Sequence, residues 1–169
     1  MNNEVSLAKD EVEAYNKLGY LHYVQSDFEK ALNAYEKAIS LEPENAQMWY
    51  NKANVLRILR RFEDAKQSYL KSIALDCSCA EFHGNLGILL QEHGCFGEAE
   101  NAYKNAIATN KDYIDAYCNY AVLLKELRRF DESEQMHRQA LAISPTDFDS
   151  VWNLALLKLY LGEFEEGWL

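Results

Sequence analysis

Four asparagines recur at intervals of 34 residues, and their side chains could bind a peptide backbone. They lie in the segments YNKA (50–53), HGNLGILL (83–90), CNYA (118–121) and WNLA (152–155). A carboxamide presents a carbonyl acceptor beside an NH₂ donor, which matches the alternating C=O and N–H groups of an extended chain. Asparagine is also a poor helix former, so its repeated use in apolar helical segments requires a reason. The row either binds a ligand or fastens neighbouring repeats, and the two roles are compatible. The four residues are Asn51, Asn85, Asn119 and Asn153.

Other reactive side chains do not form a recognisable site. Cys77 and Cys79 are separated by one residue, whereas paired zinc ligands are usually separated by two to four. His93 and Cys95 lie one hairpin further along, so no metal is expected. No activated nucleophile, phosphate-binding glycine loop or histidine–carboxylate pair stands out. These residues therefore predict no enzyme activity and no cofactor.

Composition and charge narrow the class of protein and partner. The 169 residues are 49% hydrophobic and 26% charged, with two prolines and seven glycines, which favours a folded helical chain. A net charge of −10 argues against nucleic acid and anionic membranes, and is compatible with a basic peptide. There is no signal-like N-terminus and no run of about 18 apolar residues. Together with four cysteines, this predicts a cytoplasmic protein.

An internal repeat of 34 residues predicts the architecture. Phenylalanine recurs from Phe28 to Phe130 and again at Phe164, always at this spacing. Each unit contains two segments of helical periodicity joined by a short turn, such as Ser26-Asp27 or Gly94-Cys95, so the fold is predicted to be all-α. The predicted boundaries are a polar N-terminal segment or cap (1–11), repeats 12–45, 46–79, 80–113 and 114–147, and a partial repeat 148–169.

These repeats resemble the tetratricopeptide repeat family over residues 12–169. The first repeat carries the family pattern at Tyr15, Leu18, Gly19, Ala31, Tyr35, Ala38 and Pro43. Departures occur at Lys52, Cys77, Lys111, Ser133 and His137. The resemblance implies a right-handed superhelical solenoid of antiparallel helix pairs, in which the first helices line a concave groove. Each hairpin then buries its apolar face only against its neighbours.

The position of the asparagines within the repeat places them on that groove. When positions are counted from Val12, Ala46, Ala80, Ile114 and Phe148, the asparagines occupy position 6 of repeats 2 to 5. Positions 4, 7, 8 and 11 share the face that packs on the second helix, and position 6 lies opposite. The row resembles the asparagine ladder of the O-linked N-acetylglucosamine transferase superhelix. In repeat 1 the position is Lys17, so the row is expected to fade towards the N-terminus.

Residues that flank the asparagines are predicted to line the same groove. Acidic side chains there suggest a basic or hydroxyl-rich peptide, although a solvated acidic rim is the alternative interpretation. The carboxylate clamp of related chaperone-binding proteins requires Lys or Arg in the groove, and position 5 has neither, so this site is not expected. The additional predicted groove residues are Asn54, Arg57, Lys125, Glu81, Asp115 and Asp149.

The chain stops within the predicted second helix of repeat 5, where stacked repeats normally carry a polar cap. This predicts either a longer natural chain or association of the open end with a second copy, through Trp152, Phe164 and Trp168. The segment GEFEEGW also resembles a stretch that precedes glycosyltransferase-like domains in bacterial proteins of this family. The favoured function is a protein-binding module for an extended peptide. The alternatives are the substrate-recruiting arm of a larger glycosyltransferase-like enzyme and a self-associating scaffold.

Overall fold

The computed structural model describes residues 2–163, with side chains from residue 9 onward. The regular secondary structure over this range consists of helices alone, which confirms the all-α prediction. The helices are α1 Asn2–Val24, α2 Phe28–Leu41, α3 Ala46–Ile58, α4 Phe62–Leu75, α5 Ala80–Glu92, α6 Phe96–Thr109, α7 Ile114–Glu126, α8 Phe130–Ile143 and α9 Phe148–Tyr160.

Successive helices pair into hairpins, and the hairpins stack into a solenoid. The most extensive contacts join α1 to α2, α3 to α4, α5 to α6 and α7 to α8, and each second helix also packs on the first helix of the next repeat. Within the described residues, α3 touches α5 and α5 touches α7 more extensively than any two second helices touch each other. The first helices therefore lie on the inner side of the superhelical curve.

In repeats 1 to 3, the hairpin core contains a buried tyrosine of the second helix, beside the small residue at position 8 of the first helix. Tyr69 and Tyr103 are fully buried. A Cβ added at Gly87 would lie 2.6 Å from the Cε1 of Tyr103, so the ring occupies the space of a side chain. In repeat 4 the tyrosine is replaced by His137, which is 2% exposed. Close helix approach is thus the reason for the small residues at position 8.

Stacking between repeats depends on the aliphatic residue at position 10. Val55, Leu89, Leu123 and Leu157 are each at most 1% exposed. Leu21, at the same position of repeat 1, is 51% exposed. The difference indicates that position 10 packs against the preceding repeat, and no repeat precedes repeat 1 within the described residues.

All five hairpin turns contain one residue in the left-handed region at position 15. Glycine occupies this position at Gly94 and Gly162, whereas Ser26, Arg60 and Arg128 adopt φ values of 63°, 60° and 59°. In repeat 2 the turn is closed by a backbone bond of 2.9 Å from Arg61 N to the carbonyl oxygen of Leu56. The turn geometry is therefore kept even where the residue type does not favour it.

Helix α1 extends ten residues before the predicted start of repeat 1, so the backbone of the N-terminal segment is helical from Asn2. Across residues 2–163, no helix combines the length and the apolar character that a membrane crossing requires.

Candidate functional site

The groove face is defined here as the surface of the first helices that carries the position 6 asparagines. All four asparagines are half-buried, as expected for side chains outside the hairpin cores. Their hydrogen bonding differs from one repeat to the next. That difference separates the amides that are occupied within the protein from those that are not.

Asn51 and Asn85 are tied to the preceding repeat. The Nδ2 of Asn51 donates to the Oδ1 of Asn16 at 3.1 Å, and its Oδ1 accepts from Gln47 at 2.9 Å. The Nδ2 of Asn85 donates to the Oη of Tyr50 at 3.0 Å and to the carbonyl oxygen of Glu81 at 3.1 Å. Both bonds to the preceding repeat run from position 6 to position 5, so these amides do fasten repeats.

Asn119 and Asn153 have no side-chain hydrogen bond among the described residues. For Asn119 the cause is visible, because position 5 of the preceding repeat is Gly84 and has no side chain to accept. A Cβ at Gly84 would lie 3.0 Å from the ring of Tyr113, which fills the adjacent space. For Asn153 the corresponding residue is Cys118, whose Sγ is already 3.0 Å from the Oγ of Ser150. The hydrogen-bonding groups of these two amides are therefore not used by other side chains in the described part of the chain.

Two other predicted groove residues are occupied within the protein. The Oδ1 of Asn54 accepts a hydrogen bond of 2.5 Å from the Oη of Tyr69. Arg57 forms an ion pair of 2.6 Å with Glu92 of the next repeat. Both residues therefore have structural roles within the stack of repeats.

The predicted charged rim is exposed. Glu81, Asp115, Asp149 and Lys125 all have exposed side chains, and none of them forms an ion pair within residues 9–163. The carboxylate of Glu81 accepts one hydrogen bond, from the Sγ of Cys79 at 3.1 Å. Exposure of this kind suits both a ligand contact and a solvated rim, so the assignment of these four residues stays a prediction.

A cleft between repeats 3 and 4 was not identified from the sequence. We call it the repeat 3–4 cleft; it has a volume of about 660 Å³ and opens beside Asn119. Comparable clefts near the turns of repeats 1–2 and 4–5 measure about 350 and 440 Å³. Position 13 of the repeat could have indicated this cleft from the sequence. It is glutamate in repeats 3 and 4 (Glu92 and Glu126) and apolar or aromatic in the other repeats. The principal lining residues are Ile88, Glu92, Phe96, Asn119, Val122 and Glu126.

The C-terminal end presents aromatic surface. Trp152 is 56% exposed and stacks on Phe148, with ring centroids 6.2 Å apart. The sequence predicts that Phe164 and Trp168 share a self-association surface with Trp152, but both lie outside the described residues. Self-association through this end stays a prediction.

The cysteines are all free thiols. Burial raises the pKa of Cys118 and, to about 11, the pKa of Cys79, so both thiols are protonated and poorly nucleophilic at neutral pH. No group of three or more metal-ligating side chains converges within the part of the chain that the structure describes.

Comparisons with known proteins agree on the architecture. Two family models, both described as tetratricopeptide repeat, match residues 16–76 and 90–157. The human DnaJ homolog subfamily C member 7 is 39% identical over 54 residues, and this match spans 32% of the present chain and 11% of that relative. The chain thus spans only about a tenth of that relative's length.

Solved structures are similar in fold at low sequence identity. MamA is 23% identical, with a TM-score of 0.77 over 89% of this chain and 88% of its own. PilF from Pseudomonas aeruginosa is 18% identical, with a TM-score of 0.86 over 95% and 73%. YrrB, described as carrying an unusual peptide-binding site, is 19% identical, with a TM-score of 0.70 over 98% and 86%.

Proposed function

Because the chain belongs to the tetratricopeptide repeat proteins, we propose that it is a protein-interaction module that binds an extended peptide along the groove face. The peptide backbone is held by asparagine side chains of successive repeats. Each amide receives a backbone N–H on its Oδ1 or donates its NH₂ to a backbone carbonyl.

The observation that carries this proposal is the unoccupied hydrogen-bonding capacity of Asn119 and Asn153. A half-buried carboxamide without a protein partner loses water on peptide binding at little cost, because the peptide backbone replaces the bonds to water. Asn85 contributes through its Oδ1, since its Nδ2 is fixed by Tyr50 and the carbonyl oxygen of Glu81. These two bonds also orient the amide of Asn85 before the peptide binds.

Peptide binding is therefore assigned to repeats 3 to 5. In repeat 2, both polar atoms of the Asn51 side chain already have partners within the protein. YrrB, which has a similar fold, is described as having a peptide-binding site. That similarity supports peptide binding as the class of function, but it does not support the choice of Asn85, Asn119 and Asn153.

The test is selection from a displayed library of random twelve-residue peptides on the purified chain, followed by affinity measurement with labelled winners. We expect the double substitution Asn119→Ala and Asn153→Ala to weaken binding by roughly tenfold or more, because each lost hydrogen bond is worth about 1 kcal/mol. The matched control is Asn101→Ala with Asn105→Ala, which makes the same chemical change on exposed positions of α6.

Equal binding by the groove variant and the α6 variant would overturn the proposal. Selection of no peptide at all would do the same. Thermal unfolding of both variants shows whether a loss of affinity comes from the groove or from a loss of folded protein.

A further inference from the structure

The repeat 3–4 cleft is large enough to admit a side chain of a bound peptide. Its volume of about 660 Å³ exceeds that of the clefts near the turns of repeats 1–2 and 4–5. It opens beside the unpartnered amide of Asn119, so a residue of a peptide held by that amide has the cleft within reach of its side chain.

Three apolar side chains line the cleft. Ile88 and Val122 occupy position 9 of α5 and α7, and Phe96, at the start of α6, is 37% exposed. Such a surface can cover the methylene stem of a long side chain while its polar end stays near water. A short polar side chain would leave the three apolar side chains in contact with water.

Two carboxylates also line the cleft. Glu126 is exposed and forms no ion pair within residues 9–163, whereas Glu92 is paired with Arg57 at 2.6 Å. Burial raises the pKa of Tyr103; the carboxylates of Glu126 and Glu92 raise it further, and the Arg57 guanidinium lowers it. In the other three repeats, position 13 is Val24, Ile58 or Tyr160. The lining of the repeat 3–4 cleft thus combines apolar side chains with the unpaired carboxylate of Glu126 and the paired carboxylate of Glu92.

We propose that the repeat 3–4 cleft selects an arginine or lysine side chain of the bound peptide. The methylene stem lies on Ile88, Val122 and Phe96, and the cationic group pairs with Glu126 and the free side of Glu92. Asn119 holds the backbone of the same residue. This inference rests on the proposed function, because it presupposes a peptide on the groove face.

The cleft near the turns of repeats 4–5 differs in a way that sharpens the specificity. It is lined by Lys125 and Arg128 together with Phe130, Leu156 and Tyr160, and Glu126 also borders it. Two cations at that cleft disfavour a basic side chain there. A single basic residue in register with repeats 3 and 4 is therefore preferred over a polybasic peptide.

The test uses four pools of labelled twelve-residue peptides. Each pool has one central residue fixed as arginine, lysine, norleucine or glutamate, and every other position is a mixture of Ala, Ser, Thr and Asn. Affinities are measured for the wild-type chain, for Glu126→Gln, and for Glu63→Gln. The last variant removes one negative charge from an exposed site on α4.

We expect the arginine and lysine pools to bind the wild-type chain about five- to tenfold more tightly than the norleucine pool, and the glutamate pool to bind most weakly. Glu126→Gln should reduce that preference to less than twofold, whereas Glu63→Gln should preserve it. Norleucine keeps the stem without the charge, so it separates the two parts of the pocket.

The outcomes distinguish this inference from the proposed function. Equal binding of all four pools would overturn the basic pocket and leave peptide binding intact. A basic preference that survives in Glu126→Gln would also overturn it, because the selectivity would then come from net charge. If no pool binds, the proposed function fails and the pocket assignment fails with it.

Discussion

The Nδ2 of Asn85 donates a 3.0 Å hydrogen bond to the Oη of Tyr50, thirty-five residues earlier in the chain. The same step, from position 6 to position 5 of the preceding repeat, joins Asn51 to Asn16. Both bonds link the first helices of successive repeats on the groove face. They limit rotation of one repeat against the next at the surface where a peptide would lie.

This bond predicts measurable coupling between the two side chains. Asn85→Ala and Tyr50→Phe should each lower the free energy of unfolding, and the double variant should lose less than the sum, with a coupling energy of about 0.5–1.5 kcal/mol. Chemical denaturation of the four proteins of the cycle measures this energy. Additive losses would show that the two side chains do not interact in solution.

Because Gly87 packs against the ring of Tyr103, adding a single methyl group at Gly87 should lower the stability of the chain. Gly87→Ala places a Cβ 2.6 Å from the tyrosine ring, which must move, so the variant should lose about 1–3 kcal/mol of stability. The control is Gly97→Ala in α6, where no atom lies within 4 Å of the added Cβ. That substitution should be neutral or stabilising by up to about 1 kcal/mol, because alanine favours a helix. Equal midpoints of denaturation for the two variants would contradict the packing argument.

The turn conformation at position 15 predicts opposite effects at two equivalent residues. Arg60 has φ of 60°, which costs a residue with a side chain about 1 kcal/mol relative to glycine, so Arg60→Gly should stabilise the chain by roughly that amount. Gly94 has φ of 73°, and Gly94→Ala should destabilise by a similar amount. Thermal unfolding checks both. A loss of stability in Arg60→Gly would mean that the arginine side chain contributes more than its backbone strain costs.

Glu100 connects repeats 3 and 4 and should make stability depend on acid pH. It accepts hydrogen bonds from Tyr120 and Arg129, each of 2.7 Å, and pairs with Lys104. Hydrogen bonds from Arg129 and Lys104 lower the pKa of Glu100 to about 2. The unfolded chain takes up this proton near pH 4.5, so the contribution is complete above that pH and is lost as the pH falls towards 2.

Glu100→Gln should therefore lower stability by about 1–2 kcal/mol at pH 7 and flatten the dependence between pH 4.5 and 2. Denaturation at a series of pH values measures both effects. Glu126→Gln is the control, because Glu126 has no ion pair in the described part of the chain. A flat profile for the wild-type chain over this range would refute the role assigned to Glu100.

His137 should act in a different pH window. Burial, with a smaller effect of Lys125, lowers the pKa of this imidazole to about 4, and its buried Nδ1 has no hydrogen-bond partner among the described residues. Between pH 6.5 and 4 the unfolded chain binds a proton that the folded chain does not. Stability from this group is therefore complete above pH 6.5 and falls as the pH drops towards 4.

The wild-type chain should lose about 2 kcal/mol of stability from this residue between pH 7 and pH 5. His137→Tyr introduces the tyrosine that repeat 2 has at the equivalent position, Tyr69. Position 8 is alanine in both repeats, so the tyrosine should fit, and the loss of stability between pH 7 and pH 5 should disappear. Parallel denaturation at the two pH values tests this. The same pH dependence in both proteins would assign the effect to another group.

Much of the fold was predictable because the repeat period is a local property of the chain. Helices α3, α5, α7 and α9 begin at residues that share one position of the 34-residue period, and the second helices begin at its phenylalanines. Apolar spacing along one helix is enough to indicate which face is buried. Leu21 shows the limit, because its exposure depends on whether another repeat packs against it and not on its own segment.

The amino-acid sequence by itself determined the helical hairpins, their stacking order and the existence of an asparagine row, because each follows from residue spacing within one repeat. Only the tertiary structure decided which asparagines are occupied. The residue that faces position 6 belongs to the preceding repeat. It is Tyr50 for Asn85, which accepts a hydrogen bond, and Gly84 for Asn119, which has no side chain to accept one. The same is true of the repeat 3–4 cleft. Glu92 and Glu126 are 34 residues apart in the chain, and the superhelical stack is what brings both to the rim of one cavity.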